Sequence, residues 1–598
     1  MERKEIIISD IIKAAECENL CSKYTVSDKW EIVDYETKDI KGRGILASCR
    51  THPEKIEINP NLTGWYKIYL GIVSEDGYNA LEIKLTSDEF SHVVRPGNID
   101  PFINWNHFEI IEESFYRAAD LTNEIITIEK PFKGMSYTAS LMFIRFVPMS
   151  DTEVKEYIEK QNSLKHKKMY AHMDTDFTWF DQVDLNNIHD YCRAIYNMKD
   201  SDVKIFAQEV FLDFENEALN ELPKNLVTRR PFGDEVYASM RDVRWRNQEV
   251  NRDAIVKEQV EYAHKHNMEF FAAKRVSFSD GVVPYANIKG FKFLREHPEC
   301  RCESRDGKSL FYLSYAYPVF QDFVVNKLKE LALLGVDGIT LIFTRGLFVA
   351  FEKPVRDLFE AKYGKNEDIR KLPSSDKRVG EIKSLAMKDF FIKLRKAVND
   401  AAKEIGKDYI KIYVTAYSNI DDFKNEGVDV ADLSKDKLID GFIQSNMTVW
   451  EETEDILDEN GLIDLDKYTK KAETQFIIKR AHYNELNRIL QSMDEYDRIA
   501  KEYGVDYFSE IQWENSVQPE EFMKCAEKLL TSGCSNIALW DSYPHRVSRL
   551  CEWYITSKLG SLEHIKELKE NKENYRRIHK VLKYSGEDMS LHNPNWYG

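Results

Sequence analysis

Residues 318–344 read PVFQDFVVNKLKELALLGVDGITLIFT. The first part carries a helical pattern, and Gly335 stands where a helix ends, just ahead of a short apolar run. The same helix–glycine–strand order recurs at Gly406, Gly504 and Gly533. Working outward from these units predicts eight strands. They are Met169–Asp174, Val203–Phe211, Met268–Val276, Val336–Thr344, Tyr409–Ala416, Leu438–Asn446, Val505–Trp513 and Asn536–Asp541. Helical patterns lie between most of them, clearest at Asn251–Asn267, Pro318–Gly335, Arg378–Gly406, Ala481–Gly504 and Gln518–Gly533. Such alternation builds parallel βα units, and eight of them point to closure rather than an open sheet.

Ahead of residue 150 the rhythm is different. Gly64–Val73, Ala80–Leu85, Phe108–Glu112 and Ser140–Val147 are short aromatic and β-branched runs, separated by turn-rich stretches such as SEDGYN at 74–79. That is the pattern of an antiparallel sandwich. The expected fold class is therefore α/β, a (β/α)8 TIM barrel preceded by a small N-terminal β-sandwich domain. Expected boundaries are 1–150 for the sandwich, 151–168 for a charged linker helix and 169–560 for the barrel with long βα loops. A C-terminal helical extension and tail follows over 561–598. Trp65, Tyr66 and Tyr69 could stack on a sugar but read better as sandwich core. The sandwich is expected to shape one wall of the ligand cup.

The chain has 598 residues, with 43% hydrophobic and 31% charged, which is ordinary for a globular protein. Its formal net charge is −18. That balance argues against nucleic acid, whose phosphates attract basic surfaces, and against anionic membranes. Nine scattered cysteines are too few and too odd in number for a disulfide framework. Cys300 and Cys302 form a lone C-x-C with no matching second pair, so they read as buried thiols rather than zinc ligands. The apolar run Ile6–Ile8 is too short for a signal segment, and no stretch of about 18 apolar residues occurs. A cytoplasmic location is expected, with no cofactor and no metal. The H-x-D spacing of His172 and Asp174 lacks the second histidine of a metal-dependent amidohydrolase barrel. Oligomeric state stays open.

Two βα connections, Leu212–Val250 and Ser277–Tyr317, are long enough to carry function on the carboxyl face of a barrel. The strand ends are rich in polar and aromatic groups. Strand one ends in His172, Asp174 and Trp179, strand two in Gln208 and Glu209, and strand three in Lys274 and Arg275. Strand four ends at Arg345, five at Tyr417, and six at Gln444, Asn446 and Trp450. Strand seven ends in Glu510, Gln512, Trp513 and Glu514, and strand eight in Trp540 and Asp541. Converging on one cup, they offer carboxylates, amides, cations and indoles. That mixture fits a carbohydrate, whose hydroxyls need donors and acceptors and whose C–H faces pack on rings. Glycosidic cleavage needs a carboxyl pair, one to protonate the leaving oxygen and one as nucleophile or base. Glu209, set among apolar neighbours, is the expected acid, because burial disfavours the ionised form. Glu510 is the expected nucleophile or base, and Asp541 is the reserve for either role. A structural pairing of Glu209 with Lys274 or Arg275 is the competing reading. His172, Asp174, Trp179, Lys274, Arg345, Tyr417, Asn446, Trp450, Trp513 and Trp540 are the expected substrate-binding residues.

Residues 297–346, from HPECRCESRDGKSLFYLSYAYP through VDGITLIFTRG, resemble uncharacterised glycoside-hydrolase-like barrel proteins of bacteria, as do Glu352–Tyr363 and GCSNIALWD at 533–541. The resemblance covers about residues 168–560 and implies a barrel acting on carbohydrate. Relatives commonly carry a carboxylate inside the strand-four motif. Here Ile342 holds that position, while Arg345 is retained. The resemblance therefore implies fold and ligand class more firmly than mechanism. The leading reading is a glycoside hydrolase cleaving a small oligosaccharide or glycoconjugate. The alternatives are a non-hydrolytic carbohydrate-binding barrel, or a lyase or epimerase using Lys274, His482 or Tyr417.

Overall fold

A computed structural model describes residues 3–15, 20–21, 29–47, 53–73, 79, 81–94, 110–130, 138–173, 187–210, 252–277, 293, 296–343, 347–445, 485–511, 519–540, 557–571 and 575–585. Eight parallel strands close into a barrel in chain order. They are Met169–Met173, Val203–Glu209, Glu269–Arg275, Gly338–Ile342, Lys411–Ala416, Gly441–Gln444, Asp506–Ile511 and Asn536–Leu539, here numbered one to eight. All eight lie inside the segments expected from the sequence.

The helix–glycine–strand units are real and have one physical cause. Gly335, Gly406, Gly504 and Gly533 all have positive φ, at 85°, 74°, 68° and 112°. An added Cβ at any of them would meet nothing within 4 Å. Backbone conformation, not space, therefore demands glycine there. Gly338 is the opposite case. It opens strand four, and an added Cβ would fall 2.4 Å from the ring of Phe271, which fills the barrel interior. Gly338→Val is accordingly expected to cost roughly 1–3 kcal/mol through overpacking, read as a lower denaturation midpoint with an unchanged slope.

The N-terminal domain is a sandwich. Its larger sheet runs in the order Ile6–Ile8, Phe143–Pro148, Trp65–Val73, Ile110–Asp120, Arg576–Tyr584, Trp30–Thr37, Lys41–Ala47, Ala139–Leu141, with Leu20–Cys21 beside Trp30–Thr37. The opposing sheet is Ile56–Ile58, Ile126–Glu129, Leu81–Leu85, His92–Val94. Residues such as Trp30, Ile45, Ile68, Leu70, Ile83 and Ile128 form the buried layer of this domain. Of the three residues read as core, Tyr66 is buried in this layer and Tyr69 is buried against Phe115, whereas Trp65 is only half-buried. The connecting helix Asp151–Asn162 starts with a reciprocal cap between Ser150 and Glu153.

One expectation is corrected. Residues Leu562–Glu570 are helical, but Arg576–Tyr584 is a strand rather than part of a helical extension and tail. It returns to the sandwich and pairs with both Ile110–Asp120 and Trp30–Thr37. The sandwich is thus built from both ends of the chain. Most of the βα loops that would meet it at the cup lie outside the described residues. Among the described residues, Glu82 and Ser91 meet Arg193, Asp88 meets Tyr196, and Glu89 meets His189 and Tyr262. These partners lie on the helical flank of the barrel, not at the carboxyl ends of its strands. No helix among the described residues is long and apolar enough to cross a membrane.

Candidate functional site at the barrel mouth

Alternation along each strand decides which side chains enter the barrel. Tyr170, Ala207, Ala273, Ile342, Phe508 and Ala538 belong to the inner cluster. Their neighbours Ala171, Phe206, Ala272, Leu341 and Leu539 belong to the outer core, against the helices. Two residues further along the same faces stand His172, Glu209, Arg275, Glu510 and Trp540. Strands three, two, one, eight and seven are consecutive around the ring, so these five form one continuous arc near the carboxyl ends.

The arc is tightly organised. The His172 and Trp540 rings stack with centroids 3.8 Å apart and planes 20° from parallel. The Arg275 guanidinium lies 6.0 Å from the Trp540 ring centroid, a cation over an aromatic face. Arg275 Nε is 3.5 Å from Glu209 Oε2, and the Arg275 backbone N–H donates to Glu209 Oε1 at 3.4 Å. Glu510 is only 1% exposed. Beneath it, the Tyr170 hydroxyl donates to Thr340 Oγ1 at 3.0 Å. Burial, reinforced by the nearby Glu510 charge and only partly offset by that hydrogen bond, raises the Tyr170 pKa. The facing wall is apolar where strands four and six bring Ile342 and Ile443 into the interior. Ile342 does occupy an inward position.

Two expected binding residues do not join this arc. Lys274 alternates with Ala273 and Arg275 and therefore takes the outer face, its Nζ 3.5 Å from the Val210 carbonyl oxygen. Strand five ends at Ala416, and Tyr417 turns into the outer core, where its ring packs 5.0 Å from Phe423 and its carbonyl accepts from Tyr496. Gln208 and Gln444 are likewise core staples: Gln208 accepts from Gln259, and Gln444 donates to the Ser418 and Ile489 carbonyls. Asp174, Trp179, Arg345, Asn446, Trp450, Trp513 and Asp541 lie outside the described residues. Arg275 was legible at the end of strand three but not separable from Lys274 until the register was known. Of the two structural pairings open for Glu209, the one with Arg275 is present. Both side chains are buried, so Arg275→Gln is expected to destabilise the fold by about 3 kcal/mol, measured by urea denaturation.

The motif residues of strand four's approach serve a different purpose. Residues Arg301–Glu303 and Ser309–Leu313 form a hairpin in the long connection after strand three. Glu352 anchors it: its buried carboxylate accepts from the Ser314 hydroxyl and from the Ala350 and Glu303 N–H groups. Burial, which outweighs those hydrogen bonds, raises its pKa. Cys300 and Cys302 are free and buried under the same pad, and burial pushes the Cys300 thiol up to about 12. The SYAYP run and the cap of helix Lys353–Tyr363 therefore hold a structural pad together.

A cavity of about 800 Å³ lies elsewhere, between the sandwich and the barrel flank. Trp65, Tyr157, Arg117 and Lys558 line it. His92 sits there with its pKa pushed down to about 3, chiefly by burial. Asp88 is already engaged, with Arg117 at 2.7 Å and Tyr196 at 2.8 Å. Asp200 and Ser557 of its lining connect through backbone to the residues just before strand two, the amino-terminal side of the barrel. Active groups of such barrels belong at the other end, and the arc around Glu510 is the better candidate.

No protein-family model matches this sequence, and no curated protein matches it. Similar solved structures include the PgaB (BpsB) glycoside hydrolase domain from Bordetella bronchiseptica, at 12% identity and TM-score 0.38, covering 67% of this chain and 98% of that one. A GH20 exo-β-N-acetylglucosaminidase from Vibrio harveyi is similar at 9% identity and TM-score 0.32, covering 74% of this chain and 60% of that one. The maltogenic α-amylase AmyB from Thermotoga neapolitana is similar at 9% identity and TM-score 0.30, covering 63% of this chain and 67% of that one.

Proposed function

We propose that this chain is a cytoplasmic glycoside hydrolase acting on a small oligosaccharide or glycoconjugate at the barrel mouth. The observation that carries the reading is the arc itself: a buried glutamate, Glu510, in one layer with a stacked His172–Trp540 pair and the Glu209–Arg275 pair. Aromatic faces suit the C–H face of a sugar ring, and the charged groups suit its hydroxyls. Glu510 acts as nucleophile or general base. Glu209 was the expected acid. A guanidinium beside it favours the carboxylate over the acid, so Glu209 is better suited to accept a hydrogen bond from a substrate hydroxyl. The acid is then Asp541, which directly follows Trp540 in the sequence.

A screen of the wild type against chromogenic aryl glycosides tests the reading. Turnover that follows Glu510 supports it, and Asp541→Asn should remove the alkaline limb of the pH profile of kcat/KM, which reports the acid. A profile moved by Glu209→Gln instead would return that role to Glu209. The second reading, carbohydrate binding without hydrolysis, is favoured by Ile342, which puts an apolar side chain where a strand-four carboxylate would stand. Sugar binding by calorimetry with no cleavage of any glycoside would select it.

A further inference from the structure

Where the sandwich meets the barrel flank, three different metal-donor types converge. His189 and Cys192 lie on the single turn Ile188–Cys192, fixed by a reciprocal cap between Asn187 and Asp190. Glu258 comes from the helical segment 252–265, which leads into strand three. His189 Nδ1 lies 2.7 Å from Glu258 Oε1, and the donor atoms of His189, Cys192 and Glu258 all fall within 4.8 Å of one another.

The other side of the imidazole makes the arrangement more than a chance cluster. His189 Nε2 lies 2.6 Å from Glu89 Oε1, on the sandwich. The second Glu89 oxygen accepts from the Tyr262 hydroxyl at 2.5 Å. Phe90 packs against the ring, with centroids 5.2 Å apart. A metal-bound histidine characteristically has its remote nitrogen held by a carboxylate that is itself hydrogen-bonded. Here that outer carboxylate and its own donor are both in place. The near nitrogen faces a thiol and a second carboxylate.

We propose that His189 Nδ1, Cys192 Sγ and Glu258 bind a zinc ion, with Glu89 orienting the imidazole and water completing a tetrahedron. Imidazole, thiolate and carboxylate form a borderline-soft set that suits zinc better than calcium or magnesium, which prefer all-oxygen ligands. Cys192 binds as thiolate and its proton leaves to solvent. Zinc–ligand bonds of about 2.0–2.3 Å require Cys192 Sγ to move inward and the His189–Glu258 contact to open. His189 is 42% exposed, so an ion can enter from solvent. Because Glu89 belongs to the sandwich and the ligands to the barrel flank, the ion fastens the two domains together.

The test uses the full-length chain, stripped with chelator and titrated with Zn2+ against a chromogenic competitor, and separately with Co2+. The expected result is one tight equivalent per chain and a thiolate-to-cobalt charge-transfer band in the near ultraviolet. Cys192→Ser should abolish that band. Glu89→Gln should keep the band and weaken zinc binding by about 10–100-fold. A wild-type protein that takes up no zinc and shows no cobalt–thiolate band would overturn the proposal, leaving His189 as an ion-pair bridge between two glutamates. Retention of the band in Cys192→Ser would overturn it equally, by placing the ion on another cysteine.

Discussion

Glu510→Gln is expected to lower kcat on any glycoside the protein cleaves by about 10²–10⁴-fold, while the fold survives. Glutamine matches glutamate in volume, and on the same inner face Phe508 and Tyr170 pack against each other. The substitution removes the negative charge and with it the nucleophilic or basic carboxylate, without opening a cavity. Packing and substrate stacking on Trp540 should persist, so KM should move far less than kcat, as for an interaction made chiefly in the transition state. The comparison variant is Asp337→Asn. Asp337 precedes strand four, yet it stands at the opposite end of the barrel, where Lys407 Nζ, His264 Nε2 and the Phe270 N–H contact its carboxylate. That variant should lower the melting temperature and leave turnover of the surviving protein unchanged. Turnover within tenfold of wild type in Glu510→Gln would remove Glu510 from the mechanism.

The barrel was legible because its signals are local. Each glycine that ends a helix demands positive φ, and each buried strand is a short apolar run, so eight units could be placed without knowing what they touch. The site was less legible because alternation needs a register. Lys274 and Arg275 are adjacent in sequence, and only the inward placement of Ala273 decides that Arg275 enters the barrel. Tyr417 failed as a strand-end residue because strand five stops one residue before it and the chain turns into the helix layer. The strand Arg576–Tyr584, sequence RRIHKVLKY, gave no apolar alternation. Much of its surface faces water, and its place is set by backbone pairing and charge rather than burial. The donor set around His189 was hidden for another reason: Glu89 and Glu258 are distant in sequence from each other and from His189 and Cys192.

Truncation after Asn571 should have the largest effect on stability. Arg576–Tyr584 sits inside the larger sandwich sheet, pairing Arg576 with Ser114 and Lys580 with Ile110 on one side, and Val581 with Thr37 on the other. Its loss splits that sheet and exposes two new edges, each with unpaired backbone groups. It also removes partners from two buried carboxylates. Glu112, 0% exposed, loses Arg576 at 3.1 Å, and Glu113, 1% exposed, loses His579 at 2.7 Å. Breaking a buried pair from one side costs about 3–5 kcal/mol, comparable to the whole stability of many domains. The sandwich should therefore unfold in a separate, earlier transition in calorimetry, and protease should cut it first. The single variant His579→Ala isolates one part of this. Burial alone would raise the Glu113 pKa, but hydrogen bonds from His579 and Arg145 and the Arg145 charge outweigh it and hold the value below 4.5. A depressed folded pKa contributes stability that is present above the unfolded value and is lost as pH falls through the folded one. The gap in stability between wild type and His579→Ala should thus be full at pH 7 and close in acid below about 4.5. A gap that stays constant into acid would show that His579 acts by packing on Phe143, its neighbour at 5.6 Å, rather than through Glu113.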